Sequence, residues 1–255
     1  MNALLQVRDL GKSFGGVKAV DGISFDLAPG EMLALIGPNG AGKSTTFNMV
    51  NGQLQPDQGA ITLQGQALIG RPPRDIWRMG VGRTFQIAQT FASLTVLENV
   101  QMALLSHDRQ LWSMWRRAAA HRCDDALALL DQVGMKAQAH RPCNVLAYGD
   151  VKRVELAMAL ANDPKLLLMD EPTAGMAPQE RNDLMALTKA LVVQRGTAVL
   201  FTEHSMDVVF AYADRVIVLA RGRLIAQGKP ADIRHDPQVQ EVYLGTGKTF
   251  ERTSP

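Results

Sequence analysis

Cys123 and Cys143 are the only cysteines in 255 residues, so a disulfide framework is excluded and reduced thiols are expected. No secretory leader pattern opens the chain, which points to the cytoplasm. No apolar run approaches the roughly 20 residues that cross a bilayer, so any membrane role must be borrowed from a partner. An excess of charge of one sign is missing as well. The formal net charge is +2, and Arg71, Arg74, Arg78, Arg83, Arg116 and Arg117 are scattered, so nothing marks a nucleic-acid surface. Most of these arginines are expected on a solvated face. Internal repeats and low-complexity segments are also absent. What remains, 46% hydrophobic and 20% charged, is the composition of a globular protein with a substantial core.

Residues 146–172, LAYGDVKRVELAMALANDPKLLLMDEP, are the most informative segment. After Gly149, Val151, Val154, Met158 and Ala161 recur at helical spacing. Leu166, Leu167, Leu168 and Met169 then form the short apolar run of a strand buried on both faces. Asp170 and Glu171 therefore stand at that strand's carboxyl end, where open parallel sheets bind ligands.

Upstream, Gly37-Pro38-Asn39-Gly40-Ala41-Gly42-Lys43-Ser44 fits the phosphate-loop pattern G-x-x-x-x-G-K-[ST] at every fixed position. Its context is right too, with an apolar strand over Met32–Ile36 before it and a helix from Ser44 to Val50 after it. Glycines let backbone N–H groups curl around phosphate oxygens, and the helix N-terminus adds partial positive charge. The pattern places Lys43 on the β- and γ-phosphates and the Ser44 hydroxyl on Mg²⁺. Asp170 then serves the Mg²⁺ shell, and Glu171 polarises the water that attacks the γ-phosphate. His204 follows a strand over Ala198–Thr202 and so also lies at a carboxyl strand end. By position alone it is either a γ-phosphate contact or an ordinary surface or core histidine.

The rest of the chain reads in coarse outline. Short β-type runs at 4–7, 17–20, 23–27 and 32–36 are broken by Gly15-Gly16, Asp21-Gly22 and Pro29-Gly30, which predicts an antiparallel element beside the nucleotide core. Residues 59–63 and 81–85 add two candidate strands. From about residue 95 the character turns helical. Thr95-Val96-Leu97-Glu98 is a capping-box pattern, and 118–133 carries Leu127, Leu130 and Val133 on one side before Gly134 ends it. Strands return at 166–169, 198–202 and 216–219, separated by helices at 178–194 and 206–212, the alternation of an α/β parallel sheet.

In their order these motifs resemble those of the nucleotide-binding subunit of ABC transporters, over nearly the whole chain. GPNGAGKST is similar to Walker A, Gln86 in RTFQ to the Q-loop glutamine, and LAYGD to the signature. LLLMDEP is similar to Walker B, AGMAP at 174–178 to the D-loop, and His204 in FTEHSMD to the switch histidine. Phe14 in KSFGG occupies the place of the aromatic residue that stacks on adenine; on its own it is core as often as ligand. Within the superfamily, FGGVKAVDGISF, GVGRTFQ, LTVLENV, VYLG and the LAYG spelling resemble the branched-chain, or hydrophobic, amino acid importers. The length of the helical insertion, with Trp112 and Trp115, is similar as well. Those tryptophans read as helical core, or else as a partner-facing patch.

The resemblance implies an α/β P-loop NTPase of ABC type. Its RecA-like parallel-sheet core and N-terminal antiparallel β subdomain would span 1–86 and 161–255, and an inserted helical subdomain 87–160. It implies ATP on Gly37, Asn39, Gly40, Ala41, Gly42, Lys43, Ser44 and Thr45 with Phe14 and Gln86, and Mg²⁺ at Ser44, Gln86 and Asp170. Glu171, His204 and Lys43 would be catalytic, and Leu146, Ala147, Tyr148, Gly149 and Asp150 would face a second subunit's ATP. Implied partners are another ATPase subunit, identical or not, two membrane permeases and, indirectly, a periplasmic binding protein, with no nucleic acid. The protein would lie peripherally on the inner face of the membrane. Importers of urea, amides or aromatic acids, lipopolysaccharide-type exporters and soluble ABC proteins are the alternatives. One departure stands out against the usual LSGGQ: Ala147, Tyr148 and Asp150 replace Ser, Gly and Gln. Asp150 departs even from the importer branch's LAYGQ, and it is expected to turn away and cap its own helix.

Overall fold

The computed structural model describes residues 3–84, 90–107 and 122–244. Gln86, Phe85, Trp112, Trp115, Arg116, Arg117 and the start of the expected 118–133 helix lie outside the described residues. Two sheets organise the chain. Strands β1 (Leu5–Phe14), β2 (Val17–Leu27), β4 (Gln58–Leu63) and β5 (Gln66–Ala67) form an antiparallel sheet in the order β2-β1-β4-β5. The second sheet has the order β10-β9-β3-β8-β7-β6. It contains β3 (Met32–Ile36), β6 (Val81–Thr84), β7 (Leu166–Asp170), β8 (Ala198–Thr202), β9 (Arg215–Ala220) and β10 (Arg223–Gly228). Neighbours in it are parallel except β9 and β10.

The central strands are buried on both faces, and their period of two divides the core. Met32, Ala34 and Ile36 of β3, with Leu167, Met169, Val199, Phe201, Val216 and Val218, pack on the helical side. Leu33, Leu35, Leu166, Leu168, Leu200, Ile217 and Leu219 face the antiparallel sheet and Phe47, Met49 and Val50. Each apolar run therefore serves two cores at once. Truncating Phe201, which is fully buried, to Ala should cost about 3–5 kcal/mol of stability. Chemical denaturation would check it, and a loss below about 1 kcal/mol would mean the position is not packed as a core site.

Helix α1 (Lys43–Val50) follows β3, and α2 (Pro73–Arg78) precedes β6. Next come α3 (Val96–His107), α4 (Cys123–Gln132) and α5 (Tyr148–Ala159), with α3 packed on both others. The capping box forms as read. The Thr95 Oγ1 accepts from the Glu98 N–H at 3.2 Å, and Glu98 Oε2 accepts from the Thr95 N–H at 2.8 Å. Inside this helical group Asn99 donates to the carbonyls of Phe91 and Thr95 and to Cys143 Sγ, which ties the start of α3 to the segment before α5. Both cysteines are free thiols, and burial pushes the Cys143 pKa up. The last helices are α6 (Pro178–Arg195), α7 (Met206–Tyr212), α8 (Pro230–His235) and α9 (Pro237–Leu244).

Several expectations are corrected. Asp21-Gly22 does not break a strand: β2 runs through it, with Gly22 at φ 70 and a register irregularity against β1. A β-bulge reads in sequence like a turn. Ala161 lies just past the end of α5, and β5, β10, α2, α8 and α9 are too short or too polar to have carried a periodic signal.

Candidate nucleotide site

The loop between β3 and α1 is built by two glycines that nothing else can replace. A Cβ on Gly37 would lie 2.2 Å from the Leu219 carbonyl oxygen, and one on Gly42, at φ 103, would lie 2.4 Å from the Ala19 carbonyl oxygen. Gly42 is also the N-cap of α1, and no side-chain hydrogen bond caps that helix start. That is an anion site in the making. Lys43 is buried, and its Nζ donates to the carbonyls of Gly37 at 2.7 Å and Pro38 at 3.1 Å. The ammonium is thus held over the loop rather than extended into solvent. Asn39, Gly40 and Ser44 are exposed, Ala41 is buried, and Thr45 is half-buried. Thr46 turns inward and donates to the Gly42 carbonyl at 2.9 Å. Far along the chain, Tyr243 of α9 is buried near the loop's first residue, Gly37. Burial pushes the Tyr243 hydroxyl's pKa up; no periodic or motif signal marked the residue.

The acids stand on the same edge of the sheet, because β3, β8 and β7 are adjacent and parallel. Asp170 pairs with Thr202 in register, and the Thr202 hydroxyl donates to Asp170 Oδ1 at 2.8 Å while accepting from the Glu171 N–H at 3.0 Å. Glu171 has a left-handed backbone, φ 48, which is uncommon for a non-glycine residue and turns the chain sharply out of the strand. Its Oε1 lies 2.7 Å from His204 Nε2. The structure therefore brings Asp170, Glu171 and His204 together.

Two supporting residues escaped sequence reasoning. Glu203 is buried; its Oε1 accepts from the Thr173 hydroxyl at 2.6 Å and N–H at 3.0 Å, and its Oε2 from the His204 N–H at 3.1 Å. It locks the turn after Glu171 to the end of β8. An acid directly after an apolar strand gave no hint of burial. Arg83 was expected on a solvated face, but its side chain is only 9% exposed and its Nη2 is 3.6 Å from Asp170 Oδ2.

The signature residues lie against the segment after the acids. Gly149 is buried where a Cβ would meet Glu180 Oε1 at 3.2 Å and Met176 Cε at 3.5 Å. Leu146 packs on the core, Ala147 is exposed, and Tyr148 is an exposed ring with Lys152 Nζ 5.8 Å from its centroid. Lys152 itself is buried in an ion pair with Glu155 at 3.1 Å. The capping role expected of Asp150 is not what the structure has. Ala147 is the N-cap of α5, no side-chain hydrogen bond caps the helix, and Asp150 sits within the first turn. A carboxylate there still interacts favourably with the helix dipole. Phe14, at the end of β1, is 49% exposed, with Lys12 Nζ 5.7 Å from the ring centroid. A large apolar ring this open is unusual for core.

A family model described as "ABC transporter" matches residues 20–174, from β2 through the acids. The ATP-binding protein LivG of high-affinity branched-chain amino acid transport from Escherichia coli K12 is 39% identical over 252 residues, which covers 95% of this chain and 98% of the relative. The chain belongs to the ABC transporter ATPases. BraF of Pseudomonas aeruginosa, also named for high-affinity branched-chain amino acid transport, is 36% identical over 95% of this chain and 98% of its own. Among solved structures, the ADP conformation of an ATP-binding cassette of an ABC transporter superposes with a TM-score of 0.87 at 31% identity, covering 96% of this chain and 100% of the other. A dimeric cassette in a post-hydrolysis state with ADP and phosphate gives 0.75 at 25% identity over 89% and 98%. This ABC ATPase therefore has the α/β P-loop cassette fold that its motifs imply. A second family model, "Branched-chain amino acid ATP-binding cassette transporter", matches residues 223–249, the part that contains β10, α8 and α9.

Proposed function

We propose that the chain is the ATP-hydrolysing subunit of an importer for branched-chain or other hydrophobic amino acids. The Glu171–His204 pair at the ends of β7 and β8 carries the hydrolytic half of this reading. The similarity to LivG and BraF over nearly the full length supports the substrate class. ATP would lie with its phosphates on Gly37, Asn39, Gly40, Ala41, Gly42, Lys43, Ser44 and Thr45. Glu171 would take the proton of the attacking water, and His204, held against Glu171, would orient that carboxylate and meet the γ-phosphate. Lys43, which donates to two loop carbonyls, would exchange these contacts for phosphate oxygens.

The oxygen donors Ser44 and Asp170 suit a hard cation. Mg²⁺ is such a cation, and it keeps waters and substrate phosphates as further ligands. Ser44, Asp170 and Gln86 would hold it, and it would neutralise charge on the β- and γ-phosphates.

Residues 1–86 and 161–255 would be the ATPase core with its β subdomain, and 87–160 the helical subdomain. The site is completed by a second ATPase subunit, identical or related. Leu146, Ala147, Tyr148, Gly149 and Asp150 of one face the ATP of the other, with the α5 N-terminus supplying partial positive charge. No helix among the described residues is long and apolar enough to cross a membrane. The membrane passage would belong to two permease subunits, fed by a periplasmic binding protein. The protein then sits peripherally on the membrane's inner face.

The test of the reading is ATP hydrolysis by the complex with its permeases. Leucine, isoleucine or valine with the binding protein should stimulate it; stimulation by urea or a lipid alone would transfer the chain to another transport system. For adenine, Phe14→Ala should weaken binding of a fluorescent ATP analogue about tenfold, the scale of one base–aromatic stack. Unchanged affinity would return Phe14 to a structural role.

A further inference from the structure

Arg83 is a cation placed where a cation is costly. It lies on β6 with its side chain 9% exposed. Its Nη1 and Nη2 both lie 3.1 Å from Asn48 Oδ1 on α1, and Nη1 donates to Gln53 Oε1 at 2.8 Å, just beyond that helix. Nη2 also lies 3.6 Å from Asp170 Oδ2. Asn48 is four residues after Ser44, one helical turn along the same face. The guanidinium thus spans β6, the phosphate-loop helix and the end of β7. Asp170 is met on two sides, by a hydrogen bond from the Thr202 hydroxyl to Oδ1 and by the Arg83 charge, at ion-pair distance, on Oδ2.

A buried ion pair adds little stability over an apolar replacement of similar volume. A positive charge beside a metal-binding carboxylate also opposes the metal by simple repulsion. Planar, forked geometry is what arginine supplies that a point charge or an apolar side chain does not. We propose that Arg83 is a positioning residue that braces the Asp170 carboxylate against α1, so that Asp170 and the Ser44 end of that helix are held together for Mg²⁺ with nucleotide. The inference rests on Asp170 as the magnesium-side acid. Outer-shell partners that orient a carboxylate ligand govern metal affinity in this way.

The experiment titrates Mg²⁺ against a fixed concentration of a fluorescent ATP analogue on the full chain, in the Glu171→Gln background to suppress turnover. Arg83→Met should leave nucleotide affinity in EDTA within about twofold while raising half-saturating Mg²⁺ about tenfold. If Arg83 acts only through its charge, the same variant lowers the Mg²⁺ requirement, and a lowered or unchanged value overturns the proposal. Should Arg83→Met not fold, Asn48→Ala keeps the cation and removes its brace on α1; a raised Mg²⁺ requirement supports the proposal and an unchanged one overturns it. Asp170→Asn is the control. If it leaves the Mg²⁺ requirement unchanged, the assignment of Asp170 fails first; if it raises the requirement and the Arg83 variant does not, only the role of Arg83 fails.

Discussion

Glu171→Gln should slow ATP hydrolysis about a thousandfold, the scale of losing a positioned general base, while leaving ATP binding intact. The amide keeps the shape of the carboxylate and can still hydrogen-bond His204, but it cannot take a proton from water. The backbone at Glu171, turned out of β7 at φ 48 and anchored by its N–H to Thr202, does not depend on the side chain's charge. Binding and folding should therefore survive. With turnover blocked, ATP should hold two subunits together, and light scattering with ATP should report a dimer where ADP gives a monomer. ATPase activity that persists in the variant would remove Glu171 as the base.

Lys43→Ala should weaken ATP binding itself, by about 10- to 100-fold if the ammonium makes charge-assisted bonds to phosphate. In the structure Lys43 is buried and bound to the carbonyls of Gly37 and Pro38, so it is already in place over the loop and loses little further freedom when phosphate arrives. Equilibrium binding of a fluorescent ATP analogue reads the effect. Unchanged affinity, with the fold intact by circular dichroism, would count against the whole phosphate-loop assignment. The contrast between the two variants is informative in itself: one loses chemistry with binding kept, the other loses binding.

The elements that announced themselves in sequence are those whose physics is local or strictly periodic. Met32–Ile36 and Leu166–Met169 are buried on both faces, so every residue had to be apolar and the runs stood out. Gly37, Gly42 and Lys43 are fixed by backbone clashes and by phosphate geometry, which a spacing pattern captures. The capping box at Thr95 and Glu98 is local too, and its two hydrogen bonds are present. What escaped is what depends on packing between distant segments. Arg83 looked like any surface arginine because its partners Asn48, Gln53 and Asp170 are 30 or more residues away. Glu203 meets Thr173 across 30 residues, and Tyr243 reaches the loop from the far end of the chain. Asp150 misled for a different reason. A short acid near a helix start predicts a cap, but whether it falls at the N-cap or within the first turn is a matter of three residues, and the chain enters α5 at Ala147.

An importer ATPase must couple hydrolysis at this site to amino acid movement. The direct measurement is uptake of radiolabelled leucine into vesicles that contain the permeases and this subunit, with ATP on the subunit's side and the loaded binding protein on the other. The account predicts ATP-dependent accumulation with the native chain and none with the Glu171→Gln chain, although that chain still binds ATP and joins the complex. Equal accumulation with both, or ATP hydrolysis in the native complex that neither moves leucine nor responds to it, would contradict it.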